Sequence, residues 1–243
     1  MKKIMLDEYM IHTGSLLLIN QKYRYHYYEQ ETIIPRDEQS TAAMEKEAGL
    51  HLQACMRKID GWKELFPFSG LRTHEQQEQI YSACADPLSA ALPGHSEHEA
   101  GLAVDLCAEI PSDWNHLSFS HTELCRTFAK TAAEYGFIER YPCGLESITK
   151  LSAKPWHYRY IGVPHAAIIK EQGITLEEYI EKIRTYKHKD KNWFTYTDSA
   201  KQCAYRISFH DCRDGILTIE ENSRLHISGD NISGVILTEM IKL

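Results

Sequence analysis

No stretch of the chain approaches the ~20 consecutive apolar residues that a membrane-spanning helix requires. The N-terminus, Met1-Lys2-Lys3-Ile4-Met5-Leu6, starts like an export signal, but Asp7 and Glu8 interrupt it before an apolar core can form. A cytoplasmic protein is therefore expected. Positive charge is not in excess: 27 Lys and Arg stand against 34 Asp and Glu, giving a net charge of −7 and a pI near 6.0. That balance argues against binding nucleic acid or an anionic membrane through overall charge. The chain has no C-x-x-C pair, and its seven cysteines are odd in number and widely spread. A disulfide framework and a cysteine zinc site are both disfavoured, leaving reduced thiols, several of them small core residues. Internal repeats and low-complexity tracts are also missing.

What is present suits one main domain of ordinary size with a small appendage: 243 residues, 43% of them hydrophobic. Residues 15–20 read as a short buried strand. Met44, Ala48, Leu52, Cys55 and Met56 recur at helical steps and mark a core-facing stripe. Residues 66–72 read as a strand, after which Thr73 and Gln76 form a capping box for a helix to about residue 85. Arg72 thus falls at a strand-to-helix junction, a place that often faces a site. Residues 102–107 are a short apolar strand interrupted by Asp105, an acid that needs a partner if buried. A helix starts near Ser120 and Glu123 and ends at Gly136. Residues 156–160 alternate as a strand, with His157 and Arg159 on one face and Trp156, Tyr158 and Tyr160 on the other. Helices follow over 164–172 and 175–184. Residues 187–191 look like a solvated linker to a small β tail, with strands at 203–209, 216–219 and 235–241. The expected division is residues 1–186 and 187–243, the tail packing on the main domain or on a second copy as a homodimer.

Chemistry concentrates in Gly94-His95-Ser96-Glu97-His98-Glu99-Ala100-Gly101-Leu102-Ala103-Val104-Asp105. A hydrolytic zinc site wants three nitrogen or oxygen ligands and one open position. His98 and Asp105 can supply two of them. Their spacing of seven is not helical, so they converge only if Gly101 lets the chain turn back into the strand that carries Asp105.

Ser96-x-His98-x-x-Gly101-x-Ala103-x-Asp105 resembles the S-x-H-x-x-G-x-A-x-D signature of the zinc D,D-peptidases of the VanX, VanY and VanXY type, which share the hedgehog fold. Ser69-Gly70-Leu71-Arg72, Gln77, the block from Gly136 to Gly144 and Pro155-Trp156-His157-Tyr158-Arg159-Tyr160 extend the likeness over roughly residues 15–170. The resemblance implies an α+β fold with a small central antiparallel sheet flanked by helices. It also implies that His98, Asp105 and His157 hold one Zn²⁺ and that Arg72 steadies the oxyanion. Ser96, Gln77 and Trp156 then meet the substrate, a D-Ala-D-Ala dipeptide or a peptidoglycan-precursor stem peptide.

One position departs from the pattern. The family's general base, a Glu three residues before the last metal-binding His, is here Lys154, and a protonated ammonium accepts no proton. Among nearby acids, Glu97 and Glu99 flank His98 but are not expected to point at the water, and Glu146 can substitute only if its loop folds inward. Three further readings stay open: a zinc protein that binds D-Ala-D-Ala termini without turnover, an L-Ala-D-Glu endopeptidase, and a metal-free structural protein.

Overall fold

The computed structural model describes residues 2–35, 42–108, 119, 122–220 and 225–242. The chain divides into two compact units, one made of Ile19–Thr175 and the other of Met1–Leu18 together with Leu176–Leu243. Both are built of small antiparallel sheets and helices, so the α+β class stands. The boundary expected at 186/187 falls inside the second unit, because the N-terminal strand Lys2–Ile4 pairs with Leu217–Ile219. Such non-local pairing leaves no mark in local composition.

In the first unit four strands lie in the order Phe66–Ser69, Ala103–Cys107, His157–Tyr160, Phe137–Glu139, every neighbour antiparallel. The register sets Ser69 opposite Asp105 and Asp105 opposite His157. Directly opposed residues share a face, so three positions far apart in sequence become one row. Alternation along His157–Tyr160 divides its side chains as the sequence implies. His157 and Arg159 turn to the row's face, while Tyr158 packs on Phe119 and Phe128, and Tyr160 on Phe137 and His51. The helix Lys46–Ile59 covers that second face with Ala48, Leu52, Cys55 and Met56, all 0% exposed. Burying four such side chains contributes several kcal/mol, at roughly 1.5–3 kcal/mol for each large one.

The helix His74–Ala83 starts with the expected capping box, the Thr73 hydroxyl accepting from Gln76 N–H and the Gln76 amide oxygen from Thr73 N–H. Helix Glu123–Thr131 is capped by the Thr122 hydroxyl; Ser120, the expected cap, lies outside the described residues. Helix His165–Gln172, closed by a left-handed Gly173, comes last in this unit, and helix Leu176–Ile183 belongs to the second.

In the second unit the order is Leu225–Gly229, Gly234–Lys242, Cys203–Asp211, Phe194–Asp198, again antiparallel. Two expectations fail here. Residues 15–20 are buried as far as Ile19 but form no strand, because Leu16 N–H donates to Ser228 Oγ and Leu18 N–H to the Asp230 carbonyl. Those bonds satisfy the backbone without a ladder. The charged run at 187–191 is not a linker either: His188–Asp190 form a 3-10 turn, with both ring nitrogens of His188 bonded, to Ser208 Oγ and the Thr218 carbonyl.

Gly101 takes φ 62°, a left-handed conformation, where a Cβ would stand 2.8 Å from the Glu45 nitrogen. Replacement by alanine is expected to cost about 1–2 kcal/mol for the backbone conformation alone, and more from the clash. Urea unfolding of Gly101→Ala beside the unmodified chain measures it, and an unchanged midpoint would contradict the strain.

Candidate active site

His98 reaches the row of Ser69, Asp105 and His157 from the loop that Gly101 closes. Its Nε2 lies 3.1 Å from Asp105 Oδ2, and His157 Nδ1 lies 2.8 Å from Asp105 Oδ1. One ligand atom from each of the three falls within 4.8 Å of the others, and all three residues are buried. The outer nitrogens are also engaged: His98 Nδ1 stands 2.7 Å from the Gly70 carbonyl, and His157 Nε2 3.5 Å from Glu97 Oε2. A carbonyl only accepts, so His98 carries its proton on Nδ1 and presents a lone pair at Nε2. Gly70 itself has no room for a side chain, since a Cβ would sit 2.1 Å from the Ala43 oxygen.

Burial by itself raises the Asp105 carboxyl, but the neighbouring His98 and His157 outweigh it and hold the group well below the usual carboxylate range. His98 is pushed down from 6.5 to about 4, by burial first and by Arg72 second, against the pull of Asp105. In metal-free protein the unfolded chain therefore takes up this proton at higher pH than the folded one. The His98 contribution to stability is full above pH 6.5 and declines as pH falls toward about 4. The expected loss is on the order of 3 kcal/mol. Urea midpoints of the metal-free protein across that window test it; a His98→Gln variant with an equally steep decline would assign the effect elsewhere.

Arg72 is held from three sides. Its Nη2 donates to Asp105 Oδ2 at 2.7 Å, Nε and Nη2 donate to Ser69 Oγ, and Nη1 donates to Gln77 Oε1 at 3.2 Å. Gln77, 1% exposed, also donates to the Ala91 carbonyl, so both ends of its amide are occupied and it acts on Arg72. These side chains open on a cleft of about 490 Å³, which Ser96, Trp156, Tyr141 and Lys154 also line. Trp156 faces this cleft and not the helix-packed side, because the strand begins only at His157.

A sequence profile of the VanY D-alanyl-D-alanine carboxypeptidases matches residues 39–163, just over half of the chain. This chain belongs to the VanY family. A D-alanyl-D-alanine carboxypeptidase of Enterococcus faecium is 29% identical over 96% of this chain and 77% of its own length. The crystal structure of the vancomycin resistance D,D-dipeptidase VanXYg, in complex with a D-Ala-D-Ala phosphinate analogue, is 31% identical with a TM-score of 0.92, covering 99% of each chain. A vancomycin resistance D,D-pentapeptidase VanY mutant, solved with Zn(II), is 30% identical with a TM-score of 0.56 over 68% of this chain and 98% of its own. No helix among the described residues is long and apolar enough to cross a membrane.

Within this VanY-family cleft, Lys154 has its ammonium 5.3 Å from the centre of the Tyr141 ring. Among the described residues no carboxylate lies within ion-pair distance of it. Burial, then Arg72, push its pKa down, while Asp105, Cys84 and Glu97 oppose the shift. The three acids named as substitutes are all engaged. Glu97 is fully buried, accepting from Arg140 Nε and Arg159 Nη1 at 2.8 Å each. Burial alone would raise it, but the two guanidiniums hold it below the carboxylate range. Glu99 accepts from Gly94 N–H, Ser96 N–H and the Tyr27 hydroxyl, with His74 Nδ1 at 3.1 Å, and so braces the loop that carries Ser96. Glu146 accepts from Gly144 N–H and does not line the cleft.

The bracing roles of Glu97 and Glu99 come from tertiary contacts with Arg140, Arg159 and the 94–96 loop. The signal for Glu97 was available as an acid beside a metal-type histidine plus two arginines inside family blocks; nothing local announced Tyr27 or His74.

Proposed function

We propose that this chain is a zinc D,D-peptidase-type protein that holds D-Ala-D-Ala termini in the cleft and hydrolyses them slowly, because Lys154 occupies the place of the general base. The observation that carries this reading is the convergence of His98, Asp105 and His157 beside Arg72, with Lys154 lining the same cleft. Two imidazoles and a carboxylate are the donor set of a catalytic zinc site, and outer bonds to Gly70 and Glu97 are the kind that orient such ligands. Zinc held there would supply Lewis acidity to the scissile carbonyl and to water.

The chain's own residues supply the rest. Arg72, fixed by Ser69 and Gln77, presents a guanidinium to the oxygen that becomes negative as the carbonyl is attacked. Ser96 offers a hydroxyl to the terminal carboxylate. Trp156 and Tyr141 give the cleft flat apolar walls for the D-alanine methyl groups.

Elemental analysis of the purified protein should find a single zinc per chain, lost in His157→Ala. Calorimetry of the zinc-loaded protein with D-Ala-D-Ala should give saturable heat that Arg72→Ala abolishes. Protein that takes up zinc but no dipeptide would end the substrate assignment, and protein that takes up neither would end the whole reading.

A further inference from the structure

The second unit contains a cavity of about 530 Å³, larger than the peptidase cleft and built wholly from residues after position 187. From its lining we infer that it is a binding site for a neutral oligosaccharide. Its floor is one face of the four-stranded sheet, where Arg206 on Cys203–Asp211 is registered opposite Glu239 on Gly234–Lys242, and His210 lies on the same face two pairs along. The strand Leu217–Ile219 and the turn at 188–191 form its walls.

Two features select the ligand. Charge is balanced: Lys189, Lys191 and Arg206 face Asp214, Glu220 and Glu239, three cations against three carboxylates. Such a lining offers no net attraction to a phosphate or a polyanion. It does present donors and acceptors side by side, since Arg206 bonds Glu239 at 2.9 Å and Lys189 bonds Asp214 at 2.8 Å. A hydroxyl both donates and accepts, so vicinal hydroxyls match paired groups of this kind.

The second feature is apolar surface among these polar groups: Trp193, with the Arg206 guanidinium over one face of its ring at 5.2 Å, together with Leu225 and the half-exposed Ile216. A pyranose has one face of C–H groups that such a surface covers, and the volume is within the range of small-ligand sites.

The test is calorimetric titration of the full-length protein with chitotetraose and with maltotetraose, both neutral. Saturable binding of at least one is expected. It should weaken about tenfold or more in Trp193→Ala, through loss of the aromatic plate, and also weaken in Glu239→Gln, which keeps the shape and removes the charge. D-Ala-D-Ala, directed at the other unit, should not compete. Circular dichroism identifies a variant that has not folded, in which case the remaining one decides. The inference is overturned by no saturable heat with either sugar, by unchanged affinity in the folded variants, or by displacement with inorganic phosphate, which would mark an anion site.

Discussion

Lys154→Glu should release D-alanine from D-Ala-D-Ala about 10²–10⁴ times faster than the unmodified chain, the usual worth of a positioned general base. The prediction rests on what else the cleft holds. A base must have a lone pair or negative charge within reach of the attacking water. Glu97 is committed to two guanidiniums, Glu99 to the 94–96 loop, and Glu146 lies off the cleft. Asp105 is bound up with His98, His157 and Arg72. On the proposed reading Lys154 stands where the base would be and carries the opposite charge. Its ammonium also adds to the positive field of Arg72, which disfavours zinc and favours a carboxylate. The substitution should therefore change turnover more than it changes the fold.

The assay is D-alanine release from the dipeptide and from a D-Ala-D-Ala-ending pentapeptide, zinc-loaded, with Lys154→Met as the neutral control. If Lys154→Glu is no faster than the unmodified chain, the base argument fails. If the unmodified chain is already fast and Lys154→Met is slow, then Lys154 is itself the base. Its downward pKa shift by burial would then appear as a rise of rate with pH through the titration of that amine.

The second large effect concerns stability. Glu97→Ala should cost about 3–5 kcal/mol, since it removes a buried carboxylate from beside charges that cannot leave. Arg140 is 1% exposed and Arg159 0%, and both donate to Glu97 Oε1. Glu97→Gln keeps an acceptor and the shape but loses the counter-charge, so it should be less damaging. Both changes disturb the partner of His157 Nε2, so on the proposed zinc reading metal affinity should fall with stability. Denaturant unfolding and competition with a chelator measure the two effects separately. A folded Glu97→Ala of unmodified stability would mean that the guanidiniums are balanced by other groups.

Much of the fold was legible in advance because local rules and tertiary demands agree there. The Thr73 and Gln76 capping box, the stripe from Ala48 to Met56 and the alternation from His157 to Tyr160 are each decided within a few residues, by hydrogen-bond reach or by side-chain period. The motif around His98 was legible for another reason: a fixed glycine, two ligand-type residues and a serine in ten positions form a dense pattern. Where non-local contacts decide, the reading fell short. Residues 15–18 are apolar enough for a strand, yet find their partners at Ser228 and Asp230, more than 200 positions away. The charged run at 187–191 is exposed at residues 189–191 as it reads, but it is no linker, because His188 is bound on both sides.

The residue types that could serve a hydrolytic site and the turn at Gly101 were thus determined by the sequence alone, since each depends on side-chain chemistry or on a single backbone conformation, while the departure at Lys154 shows only against the pattern of the family that the sequence resembles. Only the tertiary structure decided which groups meet. Strand register set Asp105 against His157, burial joined Glu97 to Arg140 and Arg159, and a strand from the N-terminus entered the C-terminal unit. Register and burial are properties of chain segments brought together from far apart, and pairing energies of that kind are not encoded in any one segment.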